Sequence, residues 1–199
     1  GEHDWYADGS RALRSLQNDD GSWGRAHATR STCYAVLFLA RAGAPDVLRK
    51  LRYRGRWNAR PRDAAHLARW MHAAFERPLG WSVAEADDDA NTLRPAPIVY
   101  LSGAGPADLT AAQVRSLRTF ALRGGLIVTE AACNSANFTM DMQALYRRLF
   151  PEWPLRRLPD DHPVYRAHVR LPRPAGLLGV DNGVRLLAVH APRELSLDR

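Results

Sequence analysis

Two apolar runs, Pro97-Ile-Val-Tyr-Leu101 and Leu126-Ile-Val-Thr129, flank a segment of helical periodicity, and this arrangement constrains the chain more than any other feature. A strand that is apolar at successive positions must be covered on both faces, as in a parallel sheet. Parallel neighbours need a long crossover, which a helix supplies. The intervening segment marks its own ends. Thr110 and Gln113 have capping-box spacing, and Val114, Leu117, Phe120 and Ala121 share one helical face. Gly124-Gly125 then permits the left-handed backbone that ends a helix.

The same grammar extends in both directions. Leu51 to Arg54 and Trp81 to Ala84 read as strands. Between them Pro61 opens a helix, Asp63 places negative charge in its first turn, and Leu67, Trp70, Met71 and Ala74 form its predicted inner face. Thr139 is the expected cap of a further helix, with Met142, Leu145 and Leu149 inward and Pro151 as its stop. Val184 to Val189 is a later strand. The expected fold is α/β: a parallel sheet flanked by helices over residues 45–199, with the last strands expected beyond Arg199.

Residues 1–44 differ. Trp5, Gly9, Leu13 and Leu16 share a helical face over 4–17, and a turn rich in Asp and Gly follows. A second helix, Ser31 to Arg41, is apolar nearly all round and is therefore expected to be buried on most sides. Two helices cannot cover that surface, so the chain is read as a piece of a longer protein whose missing helices precede Gly1. Ala42-Gly43-Ala44-Pro45 is the expected boundary.

Composition narrows the function classes. No stretch approaches the roughly 20 apolar residues of a membrane helix. The net charge is +7, yet Lys50 is the only lysine among 28 basic residues, and most of the arginines are scattered. The one dense stretch, Arg49 to Arg62, carries no nucleic-acid motif, so that partner is set aside. Cys33 and Cys133 lie far from each other and from any Cys/His cluster, so no zinc site and no other cofactor is expected. Asp87-Asp88-Asp89 lacks the glycine and ligand spacing of a calcium loop and reads as a solvated turn.

Two resemblances follow from these residues. Leu13-Arg-Ser-Leu-Gln17 with Asp20-Gly-Ser-Trp-Gly24 resembles the QW-type repeat of the prenyltransferase and squalene–hopene cyclase toroids, which implies a structural role for Gln17 at a helix end and for Trp23 between helices. The remainder resembles the family called domain of unknown function 4159. Its carriers are Lys50-Leu-Arg-Tyr53, Trp57-Asn58, Ala96 to Gly103, Gly124 to Cys133, Phe138, Leu149-Phe-Pro151, Asp161-His-Pro163 and Gly179. That family resembles class I glutamine amidotransferases in fold, so a flavodoxin-like strand order is implied, but no settled activity. The combination also implies a bacterial, envelope-associated protein.

In such an order the loops after the first and third strands flank the switch point where ligands bind. Trp57, Asn58 and Arg60 follow the first strand, and Ser102 and Gly103 follow the third. Glu130, Cys133 and Asn134 would lie beside them. The competing reading has Trp57 plugging the core and Asn58 capping the next helix. Amidotransferases place a nucleophilic cysteine near Cys133, with His162 and Glu130 as the candidate base and orienting acid. The Gly-x-Cys-x-Gly elbow and the His-x-Glu pair of that family are both absent here. The leading expectation is therefore a non-catalytic module for an unknown ligand or protein partner, with no elbow geometry at Cys133. The alternative is a cysteine-dependent hydrolase or amidase using Cys133 and His162.

Overall fold

The computed structural model describes residues 5–42, 45–168 and 176–195. Gly43 and Ala44 of the expected boundary, and the final Ser196-Leu-Asp-Arg199, lie outside the described residues.

The first unit is a helical hairpin, α1 (Trp5–Ser15) and α2 (Ala28–Ala42). The turn between them is closed by its own polar groups. Gln17 pairs with Trp23 in an isolated bridge, and Gln17 Nε2 donates to the Gly21 carbonyl at 2.9 Å. The Trp23 indole N–H donates to the Leu13 carbonyl at 2.7 Å. The tryptophan thus adds a second donor to the Leu13 carbonyl, which also accepts the Leu16 N–H, at the end of α1, while Gln17 ties the turn. Gly9 is required by packing, since a Cβ there would lie 2.6 Å from the Phe38 ring. The hairpin by itself covers only part of α2. Ala35 is buried, but Tyr34, Val36 and Leu37 are 67%, 51% and 49% exposed. Leu16, placed on the inner face of α1, is exposed as well.

The second unit alternates strands and helices: β1 (Asp46–Arg52), α3 (Asp63–Phe75), β2 (Gly80–Glu85), α4 (Ala90–Leu93), β3 (Ile98–Gly103), α5 (Ala111–Leu122), β4 (Leu126–Ala131), α6 (Ala136–Leu149), β5 (Arg156–Arg157), β6 (Leu178–Asp181) and β7 (Leu186–Ala191). They build one seven-stranded sheet in the order β2-β1-β3-β4-β7-β6-β5. The first five in that order are parallel. β6 and β5 add antiparallel at one edge, a departure from the expected all-parallel sheet. β5 has two residues and β6 four, too few to show an alternating pattern in sequence.

Register sorts the side chains. Leu51, Val99, Leu101 and Ile127 join α5 and α6 in the main core, through Val114, Leu117, Phe120, Phe138, Met142, Leu145 and Leu149. Each such side chain contributes about 1.5–3 kcal/mol through apolar burial. The opposite face carries Leu48 and Tyr100 against Ala64 of α3. On α3 the buried residues are Ala64 and Ala68, whereas Leu67 and Trp70 of the predicted face are 41% and 52% exposed. Small residues bring the helix close to the sheet, and Trp70 with Phe75 flanks the His168 ring instead.

Local signals behave as expected at α5, where Thr110 and Gln113 form a complete capping box. They do not at α6, whose cap is Ser135, accepting from Phe138 N–H; Thr139 sits inside the helix. The Asp87–Asp89 run is a turn and cap: Asp88 accepts from Glu85 N–H and Asp89 from Thr92 N–H.

Candidate functional site

Strand order reverses between β1 and β3, since the chain leaves β1 for β2 on one side and returns to β3 on the other. The carboxyl ends of β1 and β3 therefore flank the switch point, the position at which open α/β sheets bind ligands. Lys50 on β1 is level with Tyr100 on β3, and Ser102 on β3 with Glu130 on β4. Alternation puts all four on the face toward α3, where Asp63 begins that helix.

Lys50 is 1% exposed and the centre of this group. Its ammonium donates to Asn58 Oδ1 at 3.0 Å, the Arg60 carbonyl at 2.8 Å and Asp63 Oδ1 at 2.6 Å. Three donors meet three acceptors, which is what a buried ammonium requires. Asp63 Oδ1 also accepts the Ala64 N–H at 2.6 Å, and Oδ2 accepts the Ser102 hydroxyl at 2.8 Å. The Tyr100 hydroxyl stands 3.2 Å from Asp63 Oδ2 and 2.7 Å from Glu130 Oε2. Glu130 Oε1 accepts the Leu195 N–H at 2.8 Å. Burial pushes the Glu130 carboxyl above its ordinary value, and the charges of Asp63 and Glu194 add to it; hydrogen bonds from Tyr100 and Leu195 act in the opposite sense. Burial, with the Glu130 and Asp63 charges, likewise raises the Tyr100 phenol.

A second cluster lies alongside, after β7. Glu194 is 3% exposed. It receives Arg60 Nε at 2.5 Å and Nη2 at 2.9 Å, and the Cys133 N–H at 2.8 Å. Its own N–H donates to Asn134 Oδ1 at 2.8 Å. One carboxylate and its backbone thereby tie the loops after β1, β4 and β7. The loop after β4 is strained: Cys133 has φ 55° and ψ 28°, and Asn134 has φ 54°. Left-handed geometry costs a non-glycine residue about 1–2 kcal/mol, and Glu194 is the external group that holds this turn in it. The hydrogen bond to Glu194, with the nearby charges of Cys133 and Glu194, raises the Arg60 guanidinium further.

The residues singled out from sequence fall as follows. Glu130, Ser102, Asn58, Arg60, Cys133 and Asn134 all belong to these two linked clusters. Asn58 does not cap α3, whose cap position is Arg62 without a side-chain bond. Trp57 is half-buried against the main core, and its ring lies 5.7 Å from Lys50 Nζ and 5.4 Å from the Arg52 guanidinium. Gly103 is buried, and its lack of a side chain is a packing demand: a Cβ would fall 2.0 Å from the Tyr53 hydroxyl and 2.8 Å from the Phe138 ring. His162 accepts the Val164 N–H through Nδ1 in the turn after β5. Among the described residues, no histidine is hydrogen-bonded to Cys133. The turn at Cys133 has positive φ, a feature that the expectation of no elbow geometry did not include.

Lys50, Asp63, Tyr100 and Glu194 were not recognised as site residues in sequence. The available signal was the chain's single lysine, set beside Arg49 between Val47-Leu48 and Leu51 in a strand segment. Another polar group is fully internal. His190 bonds Thr129 at 2.7 Å and Thr139 at 3.3 Å on the α6 side of the sheet. Among the described residues, no group of His, Cys, Asp and Glu is placed to hold a metal ion.

Residues 47–187 match the model of a family described as a domain of unknown function, DUF4159. The chain belongs to this family. The DUF4159 match spans Lys50, Asp63, Tyr100, Ser102, Glu130 and Cys133, and it ends before Glu194, which completes the second cluster. No curated protein matches this DUF4159 chain.

Proposed function

We propose that this DUF4159 chain is a ligand-binding module whose site is the switch-point crevice, with Arg60, Trp57, Asn58, Ser102, Cys133 and Asn134 around its mouth. The observation that carries this reading is the Glu194 clamp. Two successive left-handed non-glycine residues are held by one buried carboxylate that also fixes an exposed guanidinium. Strain kept in this way at the carboxyl end of a parallel sheet is the mark of a preorganised site. Two groups of catalytic type are otherwise occupied: Lys50 by three acceptors and His162 by its own turn. The strand order β2-β1-β3-β4-β7 supports a flavodoxin-like and amidotransferase-like relationship. The closed turn at Trp23 and the exposed apolar surface of α2 support the hairpin as one repeat of an α/α toroid. Family resemblance alone supports a bacterial envelope setting.

A second reading is favoured by one observation. Cys133 is exposed on strained backbone after a central strand, as a thiol nucleophile would be. Iodoacetamide labelling separates the two in a Cys33→Ser background at neutral pH. A module of the first kind labels Cys133 no faster than the urea-unfolded chain does. Markedly faster labelling of the folded chain means an activated thiolate and replaces the binding reading with a cysteine hydrolase. Three arginines of the 49–62 stretch bond other groups of the chain: Arg49 with Thr92 and Asp46, Arg52 with Glu85 in a surface pair, Arg60 with Glu194. That engagement argues for a small ligand over nucleic acid.

A further inference from the structure

The Tyr100 hydroxyl has one proton and two carboxyl neighbours, Glu130 Oε2 at 2.7 Å and Asp63 Oδ2 at 3.2 Å. If both carboxyls were ionised, one of these contacts would set lone pair against lone pair. Asp63 Oδ2 is further supplied by Ser102, and Asp63 Oδ1 by Lys50 and Ala64. Asp63 is therefore the carboxylate of the pair, matched to a buried ammonium. Glu130 has no such partner at contact distance among the described residues. Oε1 takes a neutral backbone N–H from Leu195, and Oε2 meets only the phenol. The charged groups around it are Asp63 from α3, Lys50 from β1, Arg60 from the loop after β1 and Glu194 from the segment after β7.

We propose that Glu130 is a neutral carboxylic acid at neutral pH and the proton donor of this site, sharing its proton with Asp63 through Tyr100. The inventory then closes: Glu130 Oε2–H donates to the phenol oxygen, the phenol donates to Asp63 Oδ2, and Leu195 donates to Glu130 Oε1. The half-exposed end of this relay is Glu130, and its inner end is the Lys50–Asp63 pair. Proton release leaves the Asp63 Oδ2–Tyr100 contact without a proton, so the site holds its proton until an acceptor takes it. The Glu130 O–H bond breaks, its electron pair stays on the carboxylate, and the proton goes to an acceptor oxygen of a bound ligand or to water. The Tyr100 hydroxyl then turns from Asp63 to Glu130, and Asp63 keeps the Ser102 proton. The raised Glu130 carboxyl agrees with this geometry. The functional sense rests on the binding reading; the proton assignment does not.

The test is a carboxyl ¹³C titration of the ligand-free, uniformly labelled chain, with the Glu130 signal identified by its loss in Glu130→Gln. That variant is an isostere of the neutral acid and should fold with at least wild-type stability at neutral pH. The expected result is a Glu130 signal at the shift of the protonated acid at neutral pH, moving only as pH rises further. A signal already at the carboxylate shift at neutral pH overturns the proposal. If Glu130→Gln does not fold, Glu130 has an essential charge, and the proposal falls by that route too. Failure of the site to bind any ligand would leave the titration untouched, so the two readings fail separately.

Discussion

Lys50 Nζ lies 2.6 Å from Asp63 Oδ1, with Lys50 1% exposed and the Asp63 side chain 17% exposed. A buried pair of this kind adds little over an apolar pair of equal volume, but removing one partner leaves an uncompensated charge, at about 3–5 kcal/mol. Lys50→Met is therefore expected to destabilise the chain by that order in urea unfolding. Lys50→Met combined with Asp63→Asn should recover a large part of the loss. Two additive losses would mean that the pair is not coupled.

Gly103 carries a sharper steric condition. Its Cβ would occupy the Tyr53 hydroxyl, which donates to the Ser102 carbonyl at 3.0 Å. Gly103→Ala should displace Tyr53 and Phe138 and cost about 1–3 kcal/mol, the range of an overpacked core. Gly103→Ala with Tyr53→Phe removes the blocking oxygen and should be less destabilised than the single change. Equal stability of the two proteins would show that the Phe138 ring, not Tyr53, sets the limit.

These two cases show what the sequence made legible. Patterns confined to one element read through: the capping box at Thr110, the inner faces of α5 and α6, the apolar β3 and β4. The strand reversal between β1 and β3 was also legible in outline, because both strands and the helix between them could be assigned. What failed was pairing across elements. Asp63 looked like a helix-start charge because that role is local. Its contacts with Lys50, Tyr100 and Ser102 depend on a crossover that brings positions up to 39 residues apart together. Glu194 was invisible for the same reason. The α3 face was misread because two alanines carry little hydrophobic signal, although small size is what close packing on the sheet selects.

The strained turn at Cys133 can be tested by its backbone preference. At φ 55° a β-branched side chain is disfavoured, and glycine is not. Cys133→Val should cost at least about 1–2 kcal/mol, whereas Cys133→Gly should stay within about 1 kcal/mol of wild type. Glu194→Ala removes the acceptor of the Cys133 N–H and should speed hydrogen exchange at that amide while leaving β3 amides protected. Unchanged exchange at Cys133 would mean that the turn holds itself, and the clamp would lose its role.

His190 predicts an acid limb. Its ring is 0% exposed and bonded to two threonine hydroxyls, and burial lowers its pKa from 6.5 to about 4. The unfolded chain takes up this proton near 6.5, while the folded chain resists it until about 4. Between those values the unfolded state binds more protons, so stability falls as pH falls. The contribution is whole above 6.5, is lost toward 4, and changes no further below. Its size is about 3 kcal/mol from the free energy of a pKa shift. Glu130 works in the opposite sense: its raised folded value gives stability that is present at low pH and lost as pH rises through that value. The two are separated by variants. His190→Asn should lose less stability than wild type between neutral pH and pH about 4.5, and Glu130→Gln should lose more over the same interval. Parallel urea-midpoint curves for wild type and His190→Asn would show that the buried ring titrates as it does in the unfolded chain.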